Sequence, residues 1–334
     1  MFGDGDLQLV ERGAMEENQY SSSRISRDDM QRLMTRRDRP GLVRFGLQLA
    51  TFLLLCAATL ELAAGVSRLR YVSVTLTGLV LLMFFASMHE AGHGTAFRTP
   101  WVGRAVTWIS AVLMLQSPAF FRAFHFEHHR RTSDPTGDPE ISGAPGILGC
   151  WPANPLLYAA IASGQHLMIG KAAFTLSCAL FPIALFDRVR AVDAWFARLF
   201  PFVRSPLRRR VVWESRLVVL LLVGAGWFGL REMPGFATLL LAWPIAHVGL
   251  GLFVMPEHTG LDRAGSQIHR TRSMQTNALV RWTMWNMPYH AEHHAFPAVP
   301  FHAAAALSHR LAPDLEHTIR GYLAFHAEAL RRCR

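Results

Sequence analysis

The chain has 334 residues, of which 51% are hydrophobic and only 17% are charged. Soluble globular proteins carry about 25% charged residues, and several stretches here contain almost no charge, which excludes an ordinary soluble protein and predicts an integral membrane protein. The formal net charge of +10 comes almost entirely from arginines between apolar stretches. That placement favours anchoring at an anionic membrane face, and we expect no nucleic acid partner.

Four apolar runs follow a polar and charged N-terminal segment, in which no cleaved signal peptide is expected. A helix rises 1.5 Å per residue, and the hydrocarbon core of a bilayer is about 30 Å thick. The runs are paired by short connections, so they predict two helical hairpins. They cover residues 42–66, 71–88, 217–230 and 236–255.

Two further stretches are harder to interpret. Residues 101–121 are amphipathic and could lie in the membrane interface or re-enter the membrane. Residues 153–186 are apolar but are interrupted by Gly164, Lys171 and Pro182. The sequence leaves open whether this stretch crosses the membrane once, crosses twice or only enters it.

Arginine-rich segments lie in the N-terminal tail, in residues 188–216 and in residues 263–281. The positive-inside rule places all three on the cytoplasmic side, which requires an even number of crossings between them. We therefore predict an all-α, multi-pass bundle of about four transmembrane helices. Its expected parts are a polar cytoplasmic N-terminal tail at 1–40, a membrane domain at 41–310 and a C-terminal helical tail at 311–334.

Half of the 16 histidines fall in three clusters with helical spacing. Positions i, i+3 and i+4 share one face of a helix, so each cluster presents two or three imidazoles in one direction. Neutral imidazole binds iron, zinc, copper and nickel. The clusters are His89-Glu90-Ala91-Gly92-His93, His125-Phe126-Glu127-His128-His129 and His290-Ala291-Glu292-His293-His294.

Eight imidazoles exceed what one metal ion can hold, so two ions are the economical prediction. Under the predicted topology all three clusters meet at the cytoplasmic face and form a histidine-rich cap. Glu90, Glu127 and Glu292 lie inside the clusters. We expect each to hydrogen-bond a ligand imidazole, although direct ligation is an alternative.

The first cluster also matches H-E-x-x-H, the helix motif of zinc proteases in which the glutamate acts as base. Taken alone, His89 to His93 would suggest an intramembrane metalloprotease with one zinc ion. That interpretation leaves the other two clusters unexplained.

The three clusters resemble the histidine boxes of the membrane fatty acid desaturase superfamily, which also includes alkane hydroxylases and carotenoid hydroxylases and ketolases. The resemblance covers about residues 42–310 and rests on the order HxxxH, HxxHH, HxxHH and on the gaps between them. Two flanking segments also fit, namely Asp134-Pro135-Thr136-Gly137-Asp138-Pro139 and Asn286-Met287-Pro288-Tyr289-His290.

The resemblance implies a di-iron centre with O2 as co-substrate and a ninth ligand at His258, near the end of the last membrane helix. His247, three turns earlier, is expected to be hydrogen-bonded within the bundle. The remaining histidines are treated as non-ligands. No cytochrome-like haem motif is seen, so the expected electron donor is a separate carrier such as a ferredoxin or rubredoxin.

The function implied by the resemblance is desaturation of a fatty acyl lipid at a cell membrane, with the histidine boxes and the N-terminus cytoplasmic. The alternatives are hydroxylation or ketolation of a lipid, alkane or carotenoid, and desaturation of a smaller specialised metabolite. A non-enzymatic metal-binding membrane protein is a further alternative. The arginine bias suggests a bacterial origin.

Overall fold

The computed structural model describes residues 25–182 and 189–333, so most of the predicted polar tail lies outside the described residues. The described part is mostly helical, as the sequence predicts. Its helices are α1 (Arg27–Leu33), α2 (Asp38–Ala64), α3 (Arg70–Gly92), α4 (Pro100–Leu113), α5 (Pro118–Arg131), α6 (Pro155–Ala162), α7 (Gln165–Leu180), α8 (Arg190–Leu199), α9 (Ser205–Glu232), α10 (Phe236–Leu239), α11 (Ala242–His258), α12 (Ala278–Thr283), α13 (His290–Ala295), α14 (Ala304–Leu311) and α15 (Tyr322–Arg332).

Four helical stretches of the described residues are long and apolar enough to cross a membrane, which confirms the predicted number. The helices α2 and α3 pack as a hairpin, whereas α9 leads through the short α10 into α11 with α7 packed between α9 and α11. The helices α3 and α11 run in the same direction, because Gly78 lies against Ile245 and Leu82 lies against Gly249. Their C-terminal ends therefore lie at the same end of the bundle. The stretches are Arg27–Ala64, Arg70–Gly92, Ser205–Glu232 and Phe236–His258.

Buried hydroxyl groups join the two helices of the first hairpin. The Thr59 hydroxyl on α2 lies 2.8 Å from that of Ser73 and 3.1 Å from that of Thr77, both on α3. In hydrocarbon a polar side chain has no water to bind, so such contacts hold adjacent helices together.

The amphipathic stretch after α3 forms a hairpin of α4 and α5 that penetrates the bundle. The Trp243 indole N–H, near the start of α11, donates to the Leu113 carbonyl at 2.9 Å. Trp243 is 15 residues before His258, or about 22 Å along the helix axis. The tip of the hairpin is therefore far from the histidine end of α11, and α5 descends from it toward that end.

The stretch with an uncertain number of crossings contains two short helices, α6 and α7, of 8 and 16 residues. Neither reaches the roughly 20 residues that a transmembrane helix needs. They are separated by Gly164, which has a φ of +62° and packs against the His247 carbonyl of α11. No side chain fits at that contact, which explains why glycine interrupts the apolar run there.

The cap carries a small parallel sheet that the sequence did not predict, formed by β1 (Ser273–Gln275) and β2 (Thr318–Arg320). Its register pairs Ser273 with Thr318. The strand β2 leads into α15, whose Tyr322 ring stacks on Phe253 of α11 at 5.1 Å between centroids. The C-terminal segment thus packs on the membrane helices, and the predicted division at residue 311 stays a proposal.

We predict that Gly251→Ala destabilises the protein by about 1–3 kcal/mol, because overpacking at a tight contact is costly. A Cβ atom at Gly251 would lie 2.6 Å from the Ala162 carbonyl oxygen and from the Gly164 nitrogen. The matched control is Gly226→Ala in α9, where a Cβ atom meets nothing within 4 Å. Thermal unfolding of both variants in detergent checks this, and equal melting temperatures would contradict it.

Candidate metal centre

The three histidine clusters lie on helix ends that face one another. The first lies at the C-terminal end of α3, the second in the last turns of α5, and the third forms α13. Helical spacing turns the rings of each cluster toward the same interior space. The eight box histidines and His258 fall into two groups of buried rings, one of five and one of four. The groups are His89, His93, His125, His129 and His293, and His128, His258, His290 and His294.

In the first group the Nε2 atoms approach one another closely. Distances between Nε2 atoms are 2.8 Å for His93 and His125, 2.9 Å for His89 and His293, and 3.0 Å for His93 and His293. His129 approaches His125 at 3.0 Å. All five donor atoms lie within 4.8 Å of one another. The first and last boxes, about 200 residues apart in the chain, are therefore in direct contact.

The second group joins one ring from α5, one from α11 and two from α13. The Nε2 atoms of His258 and His290 are 3.2 Å apart. The His294 ring lies 5.0 Å from those of His128 and His258, between centroids. Its Nε2 atom is buried and has no hydrogen-bond partner among the described residues. An orphaned imidazole nitrogen in the interior is costly unless an ion or a water binds it.

This spacing fits a metal ion. Metal–imidazole bonds are about 2.0–2.1 Å long, so two such bonds at a right angle place their nitrogens about 3 Å apart. Five donors in the first group exceed the four that a tetrahedral zinc site uses. The role of the nine histidines as metal ligands stays a prediction at this point, but their arrangement is that of a donor set.

In three of the rings the Nδ1 atom, which lies opposite the Nε2 atom that faces the group, has a hydrogen-bond partner outside the two groups. His258 donates from Nδ1 to the Arg270 carbonyl at 3.1 Å. His294 Nδ1 lies 3.2 Å from the Thr132 hydroxyl, which itself donates to a backbone carbonyl and therefore accepts from the ring. His128 Nδ1 lies 2.9 Å from an Asp138 carboxylate oxygen. With Nδ1 protonated, each neutral ring presents a lone pair at Nε2 toward its group.

Asp138 is the supporting carboxylate that the cluster spacing did not predict. It also accepts from the backbone N–H of Ser133 at 2.8 Å and that of Glu140 at 2.9 Å, so the loop after α5 fixes its position. A second carboxylate, Glu257, lies 3.5 Å from His290 Nε2. The signals were present, since Asp138 lies in the conspicuous Asp-Pro-Thr-Gly-Asp-Pro segment and Glu257 precedes His258.

The three glutamates inside the boxes differ in their surroundings. Glu90 is buried with a carboxylate oxygen 3.9 Å from His89 Nε2. Glu292 is buried and accepts a hydrogen bond from the Ser273 hydroxyl. Glu127 forms ion pairs with Arg130 at 2.5 Å and Arg131 at 2.9 Å. Within the described part of the chain these contacts do not connect Glu127 to a ligand ring, and the supporting role of all three glutamates stays a prediction.

The pKa values of the cap histidines separate His128 from His129, His290 and His294. Burial lowers the pKa of His129, His290 and His294 well below the usual range, so these rings are neutral near pH 7. Burial also lowers the pKa of His128, but the Asp138 and Glu140 carboxylates reverse this and raise it to about 9. Without a metal ion His128 is therefore protonated near pH 7, and a metal ion must displace its Nε2 proton to bind. The same carboxylates then make the neutral ring a more basic ligand.

A cavity of about 540 Å³ opens directly onto the histidines. Phenylalanine, leucine, isoleucine and valine are the largest group of residues in its wall, and methionine and proline add to its apolar surface, so it suits an apolar ligand. Phe121 stacks on His125 at 5.3 Å between centroids, with an interplanar angle of 6°. The histidines in the cavity wall are His89, His125, His128, His166, His258 and His290.

Fold and site together define a helical membrane protein with two buried groups of histidines that could hold metal ions. The family model for "Fatty acid desaturase" matches residues 67–326, and the chain belongs to that family, which confirms the resemblance seen in the sequence. The alternative of a zinc protease, with one zinc ion at His89 and His93, does not explain why histidines from α5 and α13 lie beside these two residues.

The chain is similar to the Delta(8)-fatty-acid desaturase of Euglena gracilis, with 24% identity over 208 residues. The matched region covers 56% of this chain and 47% of that relative. The chain thus spans about half the length of the curated relative it matches.

We predict that Asp138→Asn lowers the affinity for one metal ion about 10- to 100-fold, because the amide is a weaker acceptor for the His128 Nδ1–H. Asp134→Asn is the matched control. Asp134 lies in the same loop and binds Thr136 and Arg131 rather than a histidine. Metal retained after a graded chelator challenge of the purified variants is the measurement. Equal retention by Asp138→Asn and the unaltered protein would contradict the assignment.

Proposed function

We propose that the chain is an oxidoreductase, an O2-dependent di-iron desaturase that introduces a double bond into a fatty acyl lipid. The observation that carries this proposal is the apolar cavity whose wall includes histidines of both groups. Family membership and the name of the Euglena relative support the same reaction class. Hydroxylation or ketolation of a similar greasy substrate is the alternative.

Two iron ions would suit the donors better than zinc. Imidazole is a good ligand for iron, and five neutral rings in the first group exceed a tetrahedral set. The second group adds the Glu257 carboxylate within 3.5 Å of His290. When bound, a reduced iron pair would supply the capacity to activate O2 for removing hydrogen from an unactivated C–H bond.

The protein residues would perform the positioning. Phe85, Phe121 and Leu250 line the cavity next to histidines and would hold an acyl chain against the centre while excluding water. Desaturation needs two neighbouring carbons to be held in reach, whereas hydroxylation needs only one. Chain placement in this cavity would therefore select between the two products.

The same geometry supports a topology in which the centre lies where α3 and α11 leave the membrane. A substrate chain would reach the cavity from the bilayer, and electrons would arrive from the cytoplasm through a separate carrier such as a ferredoxin or rubredoxin. The cytoplasmic location of the boxes and a bacterial origin remain predictions from the arginine distribution.

Product analysis tests the proposal. In a host with a broad lipid pool, we expect expression of the chain to produce new double bonds detectable by mass spectrometry. His128→Ala and His293→Ala should abolish these products without loss of membrane insertion, because each removes one buried donor from a different group. Insertion is measured from the amount of protein in the membrane fraction.

His309→Ala is the control, since His309 is exposed and belongs to neither group. It should retain full product formation. New hydroxyl or keto groups in place of double bonds would replace desaturation by the alternative reaction. Full turnover by His128→Ala or His293→Ala would contradict the ligand assignment.

A further inference from the structure

Among the described residues that line the cavity, one cationic side chain, that of Lys171, lies outside the two histidine groups. Lys171 is the only lysine in the chain, and it lies in the wall of the cavity that contains the histidines. It is on α7, on the same face as Leu167 and Phe174, which also line the cavity. The ammonium group is thus carried by a helix face that is turned toward the ligand space.

Lys171 is separated from the metal centre along the bundle. The cavity wall on α11 extends from His258 back to Leu250, about 12 Å along the helix axis. The α7 helix begins beside an earlier part of α11, where the Gln165 amide donates to the Pro244 carbonyl at 2.9 Å. Lys171 is within electrostatic range of His247, three turns before His258. The polar end of the cavity is therefore distinct from the histidine end.

Among the described residues, Lys171 has neither a hydrogen bond nor an ion pair with a carboxylate. The titratable groups that interact with it electrostatically are the imidazoles of His166 and His247. Its helix packs between α9 and α11, which belong to two of the four stretches long enough to cross a membrane. An unpaired cation at that depth is costly and marks a binding site unless it reaches the membrane surface.

We propose that Lys171 binds the carboxylate of a single-chain free fatty acid whose hydrocarbon chain extends along the cavity to the histidines. A carboxylate would neutralise the ammonium group, and the apolar wall would cover the chain. The cavity volume of about 540 Å³ is that of a site for one small ligand and suits a single chain better than a two-chain phospholipid.

The choice of a fatty acid as the ligand rests on the proposed function. The test measures binding rather than turnover, so the two can fail separately. The purified full-length protein in detergent is titrated with cis-parinaric acid, a fluorescent polyene fatty acid, and separately with its methyl ester. The unaltered protein should bind the acid at least about tenfold more tightly, the effect of one charge-assisted hydrogen bond.

Lys171→Met should remove this preference by lowering the affinity for the acid about tenfold. Its affinity for the ester should stay unchanged, and an unchanged ester affinity also shows that the cavity is intact. Lys171→Arg should restore part of the preference. Arg231→Met is the charge-matched control, because Arg231 is exposed near the end of α9 and pairs with Glu232 at 3.4 Å. It should bind both probes like the unaltered protein.

Equal affinity of the unaltered protein for acid and ester would overturn the inference, as would a preference that survives in Lys171→Met. If the chain forms desaturated products but shows no preference for the acid, only the role of Lys171 is contradicted. If the chain prefers the acid but forms no oxidised products, only the proposed function is contradicted.

Discussion

The close approach of imidazole nitrogens is the constraint on which the rest of the structure depends. Nε2 atoms from different helices lie 2.8–3.2 Å apart. The Nδ1 atoms of His258 and His294 face acceptors, so these neutral rings direct their Nε2 lone pairs inward. His128 does the same once a metal ion displaces its Nε2 proton. Lone pairs gathered in a buried space repel one another, and a bound cation converts that repulsion into coordination. Metal binding is therefore expected to be coupled to the stability of the cap.

The membrane helices provide the frame for this convergence. The helices α3 and α11 run in the same direction and end at one end of the bundle, and α5 descends to the same place from the tip of its own hairpin. The last box lies on α13, which is held by β1 because Ser273 accepts from the Ala291 backbone N–H at 3.0 Å. The cavity between α5, α7 and α11 then extends the site along the bundle, so that an apolar chain and the histidines share one space.

Much of this arrangement could be predicted from the sequence, because hydropathy and helical spacing are local signals. The four membrane helices and the histidine boxes are examples. The direction of the box glutamates is not such a signal, because Glu127 and Glu292 both stand two residues after the first histidine of their box, yet Glu127 pairs with arginines and Glu292 is buried beside Ser273.

The features that could not be predicted depend on contacts between distant segments. Asp138 supports His128 only because its loop folds back on α5. The short helices α6 and α7 result from Gly164 meeting the His247 carbonyl of α11, a contact that hydropathy cannot reveal. The strand pair of the cap joins residues 45 positions apart in the chain, and neither three-residue strand has a recognisable pattern.

The metal content of the purified, unaltered protein tests the central claim most directly. Elemental analysis combined with Mössbauer spectroscopy of protein from iron-57 medium should find close to two irons per chain, in two nitrogen-rich environments. A single zinc ion per chain, with iron absent even after reconstitution under reducing conditions, would contradict the account.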